Sequence, residues 1–446
     1  MGLKRVLGPV DAAWLVAGNM IGAGIFYMPG IVVAQLPGLL APMAAWTCGG
    51  LLALLGAAIY GELGARLPHA GGDYQYLAVG FGPIWGFLTG WAAMLLTFSA
   101  AAAVMCIVAV NYLETAGLLL GLPALDLTLV AAPIAVILLT LANTAGAVAG
   151  GRTTVLFTAI PLAGLLGLFG VGLLLGSATI QWPEPVSSTQ RTGIIAFGSA
   201  MLPVYFTYSG WNAAAYLAGE IKDPGRNLAR GLLGGTALVT LVYLLINLVF
   251  LLVVPAEQLA GSTRAGADAA RLLFGPRAEG LLSLLIAIAV LGSANVTLMA
   301  GARIYYAMAR DGLAPAFLGR ASKAGVPAAA LWLGGIWTAL LATAGRVEVL
   351  LNWATLAILL LSSLAVASLF VLRRRKVGSP SYRCPGYPLT PLIYLLVSLG
   401  VACAAAVSTP LESLYGLLIV GSGVPAYFLV RRLFATGPDS PFSASR

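Results

Sequence analysis

Charge is scarce in this sequence, and histidine nearly absent. Only 9% of its 446 residues are Asp, Glu, Lys or Arg, and His69 is the single histidine. A soluble globular domain carries about 25% charged residues, so that class is excluded. No cluster of His, Asp or Glu stands where it could hold a metal or act as an acid–base pair, so an enzyme is not expected. The four cysteines (Cys48, Cys106, Cys384 and Cys403) are scattered and show no metal spacing. They read as packing residues, and no metal or other cofactor is expected. His69 falls in a loop and reads as a solvated residue rather than a proton relay.

What is present is apolar: 60% of the residues are hydrophobic. Twelve runs are long enough to cross a bilayer at roughly 20 residues each. They fall near 11–36, 39–65, 84–112, 126–143, 153–176, 193–219, 231–255, 279–303, 326–345, 348–371, 389–408 and 413–430. The expected fold is an all-α polytopic membrane protein. Lys4 and Arg5 before the first run imitate a secretory signal, but the run is too long and no small-residue cleavage site follows. It reads as a retained first span.

With alternating spans and an inner N-terminus, only Arg191, Arg264, Arg271, Arg277 and Arg346 fall outside, and the other nineteen of the 24 basic residues fall inside. This is the positive-inside asymmetry of a cytoplasmic (inner) membrane protein with both termini cytoplasmic. The net charge of +9 therefore needs no nucleic acid. The lipid bilayer is the partner it implies, and Arg373–Lys376 reads as an orientation signal. The Ser- and Pro-containing segment from Ala435 reads as a flexible tail.

Two spans are interrupted near mid-depth. The first contains Gly18-Asn-Met-Ile-Gly22-Ala-Gly24, and the sixth contains Thr207-Tyr-Ser209-Gly210-Trp-Asn212. Glycine weakens a helix interior by about 1 kcal/mol relative to alanine. Backbone groups freed in lipid are tolerated only where protein or a cavity satisfies them. Interrupted spans at corresponding places in two halves point to an inverted-repeat transporter with its site at the bilayer midplane. A break offers N–H groups to a carboxylate and carbonyls to an ammonium, which together describe an α-amino acid. The alternative is that these glycines only allow helices to pack closely.

The same residues carry a family resemblance. Gly18-Asn-Met-Ile-Gly22-Ala-Gly24-Ile-Phe26, Pro68-His-Ala-Gly71-Gly72-Asp73-Tyr74, Tyr208-Ser-Gly210-Trp211-Asn212 with Gly219-Glu220-Ile-Lys222-Asp-Pro224, and Arg303 through Arg310-Asp311-Gly312 occur in that order. They resemble motifs of the amino acid–polyamine–organocation (APC) superfamily, near its bacterial L-amino acid and cationic amino acid branches. The resemblance implies the LeuT-type 5+5 inverted repeat with broken helices 1 and 6. The first repeat would cover 1–180 and the second 190–372. Two extra helices would occupy 385–432, and the tail 433–446. It implies amino acid transport by alternating access. The substrate carboxylate would lie on Gly22, Ala23 and Gly24, and the ammonium on the carbonyls of Ile21, Phe206 and Ser209 beside Gly210. Phe206 would be an aromatic gate. Asn295 would reach substrate from span eight or else bond between helices.

Ionisable groups in spans are costly and few. Glu62 and Glu220 are expected to pair with inner arginines such as Arg66 and Arg226, and Asp11 to favour the first helix's N-terminal dipole. No acid is expected in the pocket, which favours neutral over dibasic substrates. Span five lacks the lysine that some relatives use in place of sodium, and Pro161 falls near that position, so coupling to protons, to Na+, or plain exchange stays open. A cationic amino acid or polyamine exchanger and a non-transporting sensor or scaffold are the alternatives. Nothing in the sequence names a partner subunit.

Overall fold

In a computed structural model of the chain, the described residues are 5, 7–69, 71–119, 127–145, 162–164, 166, 167, 170, 174, 193–322, 325–343 and 347–434. Most of the span expected at 153–176, with Pro161, and the tail from Ala435 lie outside them. The described part is helical. Its only bridge between extended segments joins Leu7 to Ile221.

The first expected span is two helices, α1 (Pro9–Met20) and α2 (Gly24–Gln35), bent by 49° at the break. Asp11 sits in the first turn of α1 and accepts the Gly8 N–H at 2.7 Å, which offsets one orphan donor of the helix start. Helix α3 (Leu40–Arg66) follows, and then α4 (Asp73–Phe81) within the loop expected at 66–83. Helices α5 (Pro83–Ala92) and α6 (Ser99–Leu119) are joined by a π-helical turn, Ala93–Thr97. Next come α7 (Thr128–Thr144) and α8 (Ile194–Tyr208). The single-turn α9 (Ala213–Tyr216) precedes α10 (Pro224–Val253).

Between the spans expected at 231–255 and 279–303 lie two short helices, α11 (Ala256–Ala260) and α12 (Ala265–Phe274), which pack on α2. Helices α13 (Pro276–Arg310), α14 (Ala328–Ala342), α15 (Val347–Arg374), α16 (Leu389–Ser408), α17 (Pro410–Gly421) and α18 (Gly423–Phe434) complete the described chain.

Among the described residues, seven helical stretches are long and apolar enough to cross a membrane, the bent α1–α2 pair makes an eighth, and α7, α8 and α14 are shorter apolar helices. Large apolar side chains such as Leu138, Leu340, Leu396 and Leu418 are more than half exposed, as expected where the solvent is lipid. The centre is the packing of α13 along α6, α10 along α3, and α1 against α10. The two breaks lie between these pairs.

Two acids differ from their expected pairing. Glu62 bonds Arg66 as expected, but it also takes Arg373 and the Cys384 N–H, so one buried carboxylate ties α3 to α15 and to the segment after it. Arg373 lies over the Tyr387 ring at 3.7 Å, so it is a structural ligand as well as an orientation charge. Glu220 pairs with Arg303 at 2.9 Å, not with Arg226: Arg303 is buried and needs a carboxylate, whereas Arg226 is exposed.

Candidate functional site

The first helix stops at Met20 because its next residues turn out of register. The Ile21 N–H still reaches Ala17 O, while the Gly22 N–H turns back to Met20 O at 2.8 Å. The second half-helix begins with Phe26 and Tyr27 both donating to Ala23 O. No acceptor among the described residues takes the N–H groups of Ala23, Gly24 or Ile25, so the start of α2 has the unpaired donors that suit a carboxylate. On the acceptor side, no protein donor among the described residues takes the carbonyls of Ile21 or Ser209, whereas Phe206 O receives the Ser209 N–H at 2.9 Å.

The sixth-span break is built by Ser209, extended at ψ 152°, and Gly210, at φ +95°. A β-carbon at Gly210 would lie 2.4 Å from the Asn19 amide, so both its backbone angle and its space require glycine. Asn19 ties the breaks together. Its amide nitrogen reaches Gly210 O at 3.4 Å, its Oδ1 accepts from Thr297, and its carbonyl accepts from Ser293. On the opposite side, the Tyr243 hydroxyl donates toward two freed carbonyls, Met20 O and Thr207 O. One tyrosine from α10 thus serves both interrupted helices.

A narrow cavity of about 60 Å³ opens from this junction toward α4. It is room for roughly four waters. Its polar wall is Asn19, Ser209, Asn212, Thr297, Thr89 and Asp73. Phe98, Ile304, Ile358 and Leu361 are among its apolar walls. The π-helical turn brings Ala93 and Thr97 to it, a use of wide turns common at functional sites. Among the described residues, the far side of the breaks is closely packed. There Tyr112 packs edge-on against Phe26 and donates to its carbonyl, and a β-carbon at Gly30 would strike the Ser262 carbonyl. A larger groove of about 700 Å³ between α3, α8 and α16 is walled by apolar side chains such as Leu51, Ile195 and Val397. It offers a zwitterion almost nothing polar.

The residues expected to bind substrate divide. Ser209 and Gly210 line the cavity, and Ile21, Ala23 and Gly24 carry the free backbone groups just described. Gly22 is separated from the cavity by Met105, whose methyl would lie 3.1 Å from a β-carbon at Gly22. A β-carbon at Gly24 would lie 2.8 Å from the Thr207 α-carbon. Close packing and free donors therefore coexist on one glycine run. Phe206 is buried within α8 and is not part of the cavity wall. Asn295 stands in α13 with its Oδ1 taken by Asn143 and its amide toward Met299, so its side chain bonds between helices.

No acid is expected near mid-membrane, but the cavity takes one from the segment between the spans expected at 39–65 and 84–112. Asp73 lines the cavity and is 5% exposed. Gly71 and Gly72 turn the chain with φ of +119° and +49°, and a β-carbon at Gly72 would meet the Tyr216 ring at 2.5 Å. Only this close approach lets α4 begin beneath the break. Asp73 Oδ2 accepts the Tyr216 hydroxyl at 2.8 Å, and the Asn212 amide donates to the same hydroxyl. Burial pushes the Asp73 carboxyl up to about 6, against the opposing pull of the nearby Tyr60 and Tyr216 hydroxyls on its charged form. Asn19, Asn212 and Asp73 belong to the motifs quoted above, but their spacing in sequence gives no sign that they share one cavity. His69 is exposed, as expected.

The chain matches known proteins over nearly its whole length. The profile of the amino acid permease family matches residues 7–424. The chain is 30% identical over 441 residues to the large neutral amino acids transporter small subunit 2 of Mus musculus, spanning 96% of this chain and 81% of that one. It is 28% identical over 437 residues to the serine/threonine exchanger SteT of Bacillus subtilis (strain 168), spanning 97% and 98%. It is 30% identical over 438 residues to the b(0,+)-type amino acid transporter 1 of Mus musculus, spanning 96% and 88%.

Proposed function

Because this chain belongs to the amino acid permease family, a family of multi-pass membrane transporters, we propose that it carries neutral α-amino acids, small ones first, by alternating access. One observation carries the reading: two interrupted helices meet at Asn19–Gly210, with free N–H groups on one and free carbonyls on both, beside a polar cavity of about 60 Å³. The N–H groups of Ala23, Gly24 and Ile25 would receive the carboxylate. The carbonyls of Ile21 and Ser209, with the second lone pair of Phe206 O, would receive the ammonium. For these groups to be reached, Met105 must swing aside, which suits a flexible thioether. The small volume and the apolar wall of Phe98, Ile304 and Ile358 favour short uncharged side chains. The serine/threonine and large neutral amino acid relatives support the same substrate class.

The reading includes twelve spans, ten of them in a 5+5 inverted repeat and two further helices after it. It sets the protein in the cytoplasmic membrane with the α4 side inward, as its excess of basic residues argues. The chemistry is transport rather than catalysis. A second reading, a cationic amino acid exchanger, is favoured by Asp73 in the cavity wall and by the b(0,+)-type relative. Against it stands the volume, too small for an extended lysine.

The test is counterflow in proteoliposomes loaded with unlabelled amino acid. Labelled serine or alanine is expected to accumulate, and lysine to compete poorly. Exchange of no amino acid would sink the transport reading, and lysine outcompeting alanine would replace the first substrate class by the second.

A further inference from the structure

Among the described residues, Asp73 is a carboxylate without a counter-ion. Its Oδ2 is held by Tyr216, but its Oδ1 is buried with no partner. None of the ion pairs among the described residues includes it. The groups that face it are hydroxyls: Tyr216 from α9, Tyr60 from α3, Tyr76 from its own helix, and, more remotely, Tyr205 of α8 and Tyr394 of α16. The Tyr60 and Tyr76 hydroxyls also lack partners, and their rings meet edge-on at 5.5 Å. Tyr74, next to Asp73, gives its hydroxyl to Asp311 of the turn after α13. From α5, the neighbour in the cavity wall is Thr89, whose hydroxyl is spent on Trp85 O. From α15, Arg375 reaches only the carbonyls of Val79 and Gly80 at the other end of α4. The nearby arginines of the same side are engaged elsewhere, Arg303 with Glu220 and Arg66 and Arg373 with Glu62.

An ionised carboxylate in such a place is tolerable while water fills the cavity. It becomes costly when the cavity closes and dries, because no cation replaces the water. A protonated carboxyl carries no such cost and gains a donor for the neighbouring tyrosine oxygens. Closing and proton uptake are therefore linked.

Resting on the transport reading above, we propose that Asp73 is the proton site of this transporter: its carboxyl takes a proton from solution as the cavity closes on substrate and returns it as the cavity opens to the inner side. The step moves one proton between water and one carboxylate oxygen and needs no other reactant. The Tyr216 hydroxyl is a positioning group. It holds Oδ2, favours the ionised form, and couples the proton to the one-turn helix beneath the break.

The experiment measures the affinity of the purified full chain for serine or alanine, by tryptophan fluorescence or scintillation proximity, between pH 5 and 8.5. Affinity is expected to weaken as pH rises above about 6, approaching tenfold per pH unit for one linked proton. Asp73→Asn is expected to flatten the profile. Tyr216→Phe, which removes a bond to the charged form, should move the onset to higher pH. His69→Gln, the control for the only histidine, should leave the profile in place. An inward-acid gradient should cease to influence serine uptake in Asp73→Asn vesicles. A sloped profile that survives in Asp73→Asn, or one that His69→Gln abolishes, overturns the proposal. So does a flat profile in the parent that still binds substrate, which leaves the transport reading standing. No binding at any pH overturns both.

Discussion

At Gly22 a β-carbon would lie 2.9 Å from Ser293 Oγ and 3.1 Å from the Met105 methyl, both side-chain ends that can move. At Gly24 it would meet the Thr207 backbone at 2.8 Å, which cannot. Gly22→Ala is therefore the clean test of the carboxylate site. It is expected to fold and to weaken amino acid affinity by about tenfold, or about 1.4 kcal/mol, measured by equilibrium binding. Unchanged affinity would place the substrate elsewhere. Gly24→Val is expected to cost folding itself, so its loss of binding would say little about the site. Tyr243→Phe removes the donor shared by Met20 O and Thr207 O. Met20 O keeps the Gly22 N–H, but leaving the Thr207 carbonyl unpaired costs about 1–3 kcal/mol, so a lower thermal midpoint in detergent is expected. An unshifted midpoint would mean that this carbonyl finds another donor.

At the scale of elements, one buried acid organises the side of the molecule that carries α4. Glu62 binds Arg66, Arg373 and the Cys384 N–H together, so it joins α3, α15 and the segment leading to α16. Removing one partner of a buried charge pair costs about 3–5 kcal/mol because the other charges stay uncompensated. Glu62→Gln is expected to destabilise the protein by that order. Combining it with Arg373→Met should recover part of the loss in a double-mutant cycle; strict additivity of the two changes would show that the pair is not coupled. A separate tie, Glu220–Arg303, holds the turn after the second break to α13, while Leu7 pairs by backbone with Glu220 and Lys222. These contacts close the α4 side around the short helix Ala213–Tyr216, the element that alternating access would have to release.

For the whole molecule, the uncompensated carboxyl of Asp73 has a consequence for stability. Its folded value of about 6 stands above the ordinary 3.8. Between those values the unfolded chain releases this proton while the folded chain keeps it. Stability contributed by this group therefore falls as pH rises from about 4 to about 6, and the full penalty, about 3 kcal/mol, is present above that. Asp73→Asn is expected to raise the thermal midpoint at neutral pH and to leave it nearly unchanged at pH 4. A midpoint at pH 7 that drops instead would mean that the charged form is needed by a partner. A protein that retains such a cost at a cavity wall is keeping a group for use rather than for folding.

The sequence by itself determined that this chain is a helical membrane protein and where two of its helices are interrupted. Those features are local: hydropathy over twenty residues, and glycine where a helix should be regular. The glycine run and Ser209–Gly210 were legible as backbone donors and acceptors for the same reason. What only the tertiary structure decided is which groups share one space. Asn19 reaches Gly210 across 191 positions, Glu220 finds Arg303 rather than Arg226, and Asn295 is taken by Asn143. Asp73, read from sequence as part of a loop, arrives at the cavity because two glycines with positive φ let Tyr216 lie against the chain. Local pattern fixes which backbone groups are freed; the packing of distant helices decides which side chains face them, because that depends on distances no spacing along the chain encodes.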